Sequence, residues 1–450
     1  MAYGALGGGT FLTQNKILPG SYINYVSVPR ASNLFSDRGY AAIAMPLDWG
    51  PDGEIFTIEP ADLQTESLET FGYPYIHEKM RPLREIMRGA KVLYLYRLND
   101  NGGKKATGEI TLSNGKLSMV AKYEGIIGND VMVSIDRDID TTDGFLVTTR
   151  CGETIVDEQI VKKVEDLKDN DFVVFKPTGD GLQPAAGVKL TGGENGTMVG
   201  ESHSNFLEKI EKYDFNAIGY AGEDATIKDL YHAFAKRMRD DEGVKFQLVT
   251  HGMEPRKANF EGTINIFNDV LESNSKGNLV YWVTGWEAGV EVNRSLTNKE
   301  YDGEYTINTK YKTRDAKEAI KKGYFYFYEK NDEIRVLEDI NSFTEFTLYR
   351  NEDFSKNQVI RVLDQRAKDI SIIFNRRYLG KVQNNEDGRI AFWNELVTHA
   401  KTLSNLGAIE DYDPKDTTVE KGFAKDAVVV QDWLLPVMAM QKLYMTIWVR

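Results

Sequence analysis

Ala217-Ile218-Gly219-Tyr220, then helical spacing from Ile227 to Arg239, then Val244-Lys245-Phe246-Gln247-Leu248-Val249 stand in direct succession in this chain. An apolar run, an amphipathic stretch and a second apolar run predict a strand, a helix and a strand of a parallel sheet, because parallel neighbours need a crossover between them. Upstream, Phe206, Leu207 and Ile210 mark one face of a further helix. Downstream, the alternation continues with a helix over Ile264 to Leu271 and a strand at Leu279-Val280-Tyr281-Trp282-Val283. After a helix near 314–322, Tyr324-Phe325-Tyr326-Phe327-Tyr328 turns at Lys330-Asn331-Asp332 into Ile334-Arg335-Val336-Leu337, a hairpin. Residues 196–344 therefore read as a doubly wound α/β module.

The flanking segments differ in kind. Residues 99–195 begin at the turn-forming linker Asn99-Asp100-Asn101-Gly102-Gly103 and read as short strands separated by turns, a β-sandwich or barrel. They carry 17 Asp and Glu against 11 Lys and Arg, which suits an acidic module facing solvent. Residues 19–98 form an α/β segment, with strands at Tyr22-Ile23-Asn24-Tyr25-Val26, Ala41 to Leu47 and Val92-Leu93-Tyr94-Leu95-Tyr96. Between them, Asp62 to Phe71 and Ile76 to Met87 have helical spacing. Residues 345–450 open on a long helix, with Val359, Val362, Leu363, Ile370, Ile373 and Phe374 on one face. A second helix runs from about Gly388 to Leu406 and is capped by Gly407. Residues 1–18 are Gly-rich and read as a flexible arm.

The 450 residues exceed one ordinary core, and a charge of −13 disfavours wrapping nucleic acid, whose affinity comes from neutralised phosphates. The single cysteine, Cys151, excludes an intramolecular disulfide framework. No secretory signal pattern and no run of about 20 apolar residues is seen, so synthesis in the cytoplasm without membrane insertion is expected.

No G-x-S-x-G or G-x-x-x-x-G-K-[ST] pattern is present, and His77, His203, His232, His251 and His399 lack metal-ligand spacing. His251 reads as a solvated loop residue, and His203-Ser204 as a loop dipeptide. The run Asp136-x-Asp138-x-Asp140-x-x-Asp143-Gly144 resembles a calcium loop but lacks a glutamate at the twelfth position, so a solvated hairpin turn is the expectation. No cofactor and no enzymatic activity are expected.

The last residues form a candidate strand. Leu443, Met445, Ile447 and Val449 fall on one face, and Tyr444, Thr446 and Trp448 on the other. Such a strand pairs either within its own sheet or with a neighbouring copy, which would make the chain a link in a polymer.

Several local signatures occur in order along the chain. They are Pro19-Gly20-Ser21-Tyr22-Ile23-Asn24-Tyr25-Val26, Ser36-Asp37-Arg38-Gly39, Pro46-Leu47-Asp48-Trp49-Gly50-Pro51, Ala90 to Leu98, and Tyr123 to Asp130. Tyr378-Leu379-Gly380-Lys381-Val382, Asn385-x-x-Gly388-Arg389, Gly407-Ala408-Ile409 and Met440 to Thr446 follow. Together they resemble the sheath proteins of contractile phage tails and R-type bacteriocin particles. The resemblance implies an inner α+β domain built from both chain ends, 19–98 with 345–450. The β-sandwich or barrel at 99–195 and an α/β module at 196–344, subtilisin-like in topology but not catalytic, would be insertions. It implies that the arm 1–18, with Ala5, Leu6, Thr10, Phe11 and Leu12, and the strand 442–450 link neighbouring copies. It further implies a helical homopolymer of stacked rings around an inner tube protein, capped by a baseplate and a tail terminator. Contraction from a metastable extended state would drive the tube through an envelope, in a virion or a released particle. The alternatives are another self-assembling surface or tail-fibre binding protein, and a hydrolase on the α/β module.

Overall fold

The computed structural model describes residues 36–271 and 275–449, with the backbones of two short strands, Gly7–Gly9 and Gly20–Tyr22. It divides into two units, Met1–Ser36 and Asp37–Arg450. In the first, the two strands pair in parallel, Gly7 opposite Gly20 and Gly9 opposite Tyr22. Ala5, Leu6, Thr10, Phe11, Leu12, Pro19 and Asn24 lie outside the described residues, as does Ile23 to Val26 of the expected strand.

The second unit is organised by an eight-stranded sheet. From one edge to the other its strands are Glu333–Glu338, Tyr324–Lys330, Thr263–Ile266, Gln247–His251, Ala217–Tyr220, Tyr40–Met45, Val92–Arg97 and Ile55–Ile58. The six inner strands are parallel; the two edge strands are antiparallel to their neighbours. Tyr40–Met45 pairs with Ala217–Tyr220 through Ala41 opposite Ala217 and Ile43 opposite Gly219. Residues 40–97 therefore complete the sheet whose other strands come from 217–338.

Alternation along Tyr40–Met45 serves both faces. Ala41, Ile43 and Met45 pack with Leu83 and Ile86 of the helix Arg81–Met87 and with Tyr281 and Ala288. Ala42 and Ala44 pack with Phe206, Leu207 and Ile210 of Gly200–Ile210 and with Tyr231, Phe234 and Met238 of Ala225–Asp240. Leu279 to Val283, expected as a strand, is the start of a helix, Leu279–Gly289. Its run is apolar on every side because the helix is sandwiched between the sheet and Arg81–Met87. A Cβ on Gly285 would stand 2.0 Å from the Ile86 carbonyl oxygen, so only glycine permits that close crossing. The strand of this stretch is instead Thr263–Ile266, overlapping the start of the span expected as helix.

Residues 107–189 form the β-sandwich. A four-stranded sheet holds Thr154–Val161, Phe145–Cys151, Val131–Arg137 and Ala185–Lys189; a three-stranded sheet holds Val173–Pro177, Gly115–Ala121 and Thr107–Leu112. Their inner faces share one core, to which Trp49 from the α/β layer contributes by stacking on Phe172. The aspartate run is the hairpin turn before Phe145, with Asp143 at φ 61°. Among the described residues no group of His, Cys, Asp and Glu has the arrangement to hold a metal ion.

The helix Asn357–Ile373 lies at the amino end of the parallel strands. Its Asn357 bonds Gln247, its Asp364 takes both guanidinium nitrogens of Arg239, and its Lys368 pairs with Asp214. A π-helical turn, Phe374–Tyr378, leads to the helix Glu386–Asn405. Beyond it, Thr417–Lys421 and Val428–Asp432 make a two-stranded antiparallel ribbon.

Candidate self-assembly surface

The terminal segment is where fold and exposure part company. Residues 437–449 belong to no helix or strand. Ala439 donates its N–H to Gln358 Oε1 at 3.0 Å, and Gln441 donates to Thr297 Oγ1 at 3.1 Å. Past that point Leu443 is 87 % exposed and Trp448 88 %, and Tyr444, Met445, Thr446, Ile447 and Val449 are exposed as well. Thirteen of the 27 exposed large apolar side chains among the described residues lie between Phe423 and Val449. Singly scattered apolar residues need no explanation, whereas this concentration does. Pairing of this segment within its own chain, one of the two expectations, is not observed among the described residues.

A two-stranded ribbon, Thr417–Lys421 with Val428–Asp432, precedes it in the chain. Among the described residues both its outer edges lack strand partners, and it carries exposed Val429 and Val430. It is fastened to the two long helices by a buried polar network. Arg366 donates from Nε to Asp432 Oδ2 at 3.0 Å and from Nη1 to the Leu396 carbonyl at 2.8 Å. Thr417 donates to Asp432 Oδ1 at 2.6 Å, and Trp393 Nε1 donates to the Thr417 carbonyl at 2.7 Å. Asn384 Nδ2 reaches the carbonyls of Lys425 and Ala427 in the ribbon's turn.

The sequence motifs meet this network from one side. Asn385 caps Glu386–Asn405 by accepting the Gly388 N–H at 2.8 Å. A Cβ on Gly388 would fall 2.1 Å from the Gln383 carbonyl oxygen. Arg389 Nη1 donates to the Asn384 carbonyl and to its Oδ1, both at 3.2 Å, and so aims the amide that grips the ribbon. Gly380 supplies a positive φ of 69° after the π-helical turn.

Arg38 and Gly39 act elsewhere. Arg38 donates to the Glu287 and Val290 carbonyls, capping the end of Leu279–Gly289. The Gly39 N–H bonds Asn216 Oδ1 at 3.0 Å and sets the entry to Tyr40–Met45. Gly20 and Tyr22 sit in the short parallel pair, and Ser36 lies at the boundary of the two units.

Arg366, Asp432 and Asn384 were not singled out from the sequence, and His399 was weighed only as a metal ligand. A signal existed: Arg366 lies four residues from both Val362 and Ile370, on the apolar stripe. A charge there marks a buried partner.

Two further histidines lie buried. His203 lies in a helix, buried against Tyr231, rather than in a loop, and burial lowers its pKa. His251 closes Gln247–His251, buried with Nε2 3.1 Å from Asp269, rather than solvated; burial lowers its pKa against the pull of Asp269. The apolar walls that bury both residues were not evident from their neighbours in sequence. No helix among the described residues is long and apolar enough to cross a membrane.

Family models for phage tail sheath proteins match four consecutive stretches. They are the domain III N-terminal region of the tail sheath protein Gp18 at 38–98, the β-sandwich domain at 101–195, the central domain at 196–342 and the C-terminal domain at 349–450. The chain is 29 % identical to the phage-like element PBSX protein XkdK of Bacillus subtilis, covering 98 % of this chain and 99 % of that one. A crystal structure of a sheath tail protein from Desulfitobacterium hafniense matches with TM-score 0.80 and 34 % identity, over 95 % of this chain and 99 % of that one. The contracted helical sheath of the anti-feeding prophage shares the fold, with TM-score 0.58 at 12 % identity over 96 % and 99 %.

Proposed function

This chain belongs to the phage tail sheath proteins, a structural family, and from that premise we propose that it polymerises helically around an inner tube and contracts to drive the tube through an envelope. The observation that carries the reading is the apolar terminal segment, exposed from Leu443 to Val449, in a chain that also carries a ribbon whose outer edges lack strand partners among the described residues. A strand donated by a neighbouring copy completes such an edge through main-chain hydrogen bonds, which are strong and undemanding of side-chain identity. The N-terminal arm, including Ala5, Leu6, Thr10, Phe11 and Leu12, serves as the second linker. Because the links are backbone pairings at chain ends, they persist while the rigid bodies rotate.

Contraction draws on new contacts between copies and needs no nucleotide. The partners are the chain itself, an inner tube protein, a baseplate and a tail terminator; assembly takes place in the host cytoplasm and the product is a tail or a released particle. The α/β layer acts as scaffold.

The test is negative-stain microscopy of the full chain beside a version ending at Gln441. Hollow tubes from the full chain and monomers from the truncation are expected. Tubes from both would remove the terminal strand from the linkage; monomers from both would overturn self-polymerisation.

A further inference from the structure

The two flanks of the sheet carry opposite charge. Residues 310–322 hold six cations, Lys310, Lys312, Arg314, Lys317, Lys321 and Lys322, against Asp315 and Glu318, in a chain whose net charge is −13. All six are exposed. Asp315 is taken up by its own helix, Thr313–Lys321, where it accepts the Lys312 N–H at 3.0 Å. Among the described residues only Lys321 of the six is in an ion pair, 3.9 Å from Glu318. The helix packs on the strand Tyr324–Lys330. Beside it runs a groove of about 620 Å³, lined by Ala316, Ile320 and Leu337 together with Lys317, Lys321 and Lys442. Its one lining carboxylate among the described residues, Glu338, is held by Lys356.

The other flank bears the hairpin turn Asp136 to Asp143. Ile139 at its apex is 97 % exposed, between Asp138 and Asp140, with Asp136 and Asp143 to either side. The one cation of the turn, Arg137, lies over the Phe145 ring, 5.5 Å from its centroid. No ion pair engages the four aspartates among the described residues. The sandwich that carries this turn meets the sheet at Trp49, stacked on Phe172, and at Arg97, whose Nη1 donates to the Glu124 carbonyl at 3.0 Å. Arg97 ends the strand Val92–Arg97, and four strands separate that strand from Tyr324–Lys330. Five strand spacings amount to ~24 Å, so basic helix and acidic turn belong to opposite flanks of one copy.

We propose that the aspartate turn of one copy docks on the basic helix of a second copy, with Ile139 seated in the groove of Ala316, Ile320 and Leu337. Four unpaired carboxylates then meet a surface with an excess of unpaired cations, which fixes partner and register. A phosphate polymer would offer the charge without the apolar apex that the groove between the lysines accepts. Two complementary patches on opposite flanks of one chain make a head-to-tail contact, which generates rings or open helices rather than closed dimers. The inference rests on the self-assembly reading above and adds to it a side-chain contact separate from the chain-end linkers.

The test uses the full-length chain. Equal amounts of isotope-labelled and unlabelled chains are mixed, assembled and treated with a zero-length carbodiimide, and the coupled peptides are mapped by mass spectrometry. Amides joining Lys317 or Lys321 to Asp138 or Asp140 are expected, half of them between a labelled and an unlabelled chain. Ile139→Asp keeps the negative charge but removes the apolar apex, and is expected to lower their yield several-fold; an unchanged yield would overturn the seating of Ile139. Absence of these amides from assembled tubes, their confinement to one label, or coupling of the helix lysines to other carboxylates alone would overturn the contact. If no tubes form, the polymer reading fails by itself, and the same reaction on concentrated chains still decides: mixed-label amides between helix and turn support the contact, and their absence overturns it.

Discussion

Arg366 Nη1 lies 2.9 Å from His399 Nδ1, deep between the two long helices. Arginine only donates, so Nδ1 accepts, and the ring proton sits on Nε2, facing Asp369 Oδ2 at 2.8 Å. The same guanidinium holds Asp432 of the ribbon. One side chain thus joins helix, helix and ribbon.

Replacing Arg366 by methionine takes the guanidinium donor from Asp432 Oδ2, the Leu396 carbonyl and His399 Nδ1, leaving Asp432 held by Thr417 alone. A loss of roughly 3 kcal/mol is expected, the scale for breaking a buried pair from one side. Arg366→Lys keeps the charge but not the fork, and is expected to lose less. Urea unfolding of both variants measures this; equal midpoints for methionine and wild type would show that the network contributes little.

Glu287 offers a pH signature. Burial, reinforced by Asp339, pushes its carboxyl up to about 8, against the pull of Arg361. The folded chain therefore holds a proton there that the unfolded chain has lost above about pH 4.5. The folded state binds more protons between those values, so this group's contribution to stability falls as pH rises from about 4.5 to about 8, by about 1.4 kcal/mol per unit. Glu287→Gln removes that dependence. Urea midpoints at pH 5, 6.5 and 8 should show the variant gaining on wild type as pH rises; a constant gap would contradict the shift.

The cap of Glu386–Asn405 gives a graded pair. Asn385→Ala removes one side-chain acceptor and is expected to cost about 1 kcal/mol. Gly388→Ala forces a methyl against a backbone oxygen and is expected to cost roughly 2 kcal/mol. Thermal unfolding of the two variants orders them; the reverse order would mean that the turn relaxes freely around the methyl.

Cys151 is expected to be inert in the native chain. Burial, with a smaller push from Asp130, raises its thiol to about 11. Two units above an ordinary thiol leaves about a hundredfold less thiolate, and the thiolate is the reactive form. Labelling by a disulfide reagent at pH 8 should be at least that much slower than in urea; equal rates would show that the strand opens readily.

Local periodicity carried much of the fold. The hairpin at 324–337 shows in the aromatic run Tyr324 to Tyr328 followed by Asn331 and Asp332, which take φ of 55° and 63° in the turn. The helices Asn357–Ile373 and Glu386–Asn405 show in their apolar spacing and in Gly407, which takes φ 70°. Leu279 to Val283 could not be read this way, because an all-apolar run fits a buried strand or a buried helix equally well.

By itself the sequence determined the elements whose partners lie a few residues away, and the family, through short motifs kept in order. Only the tertiary structure decided that Tyr40–Met45 lies against Ala217–Tyr220 and that Arg366 meets His399 and Asp432. Each depends on residues tens to hundreds of positions apart. Which of many equally apolar strands are neighbours, and which buried charge finds which partner, is settled by global packing and by the cost of an unpaired polar group rather than by local spacing.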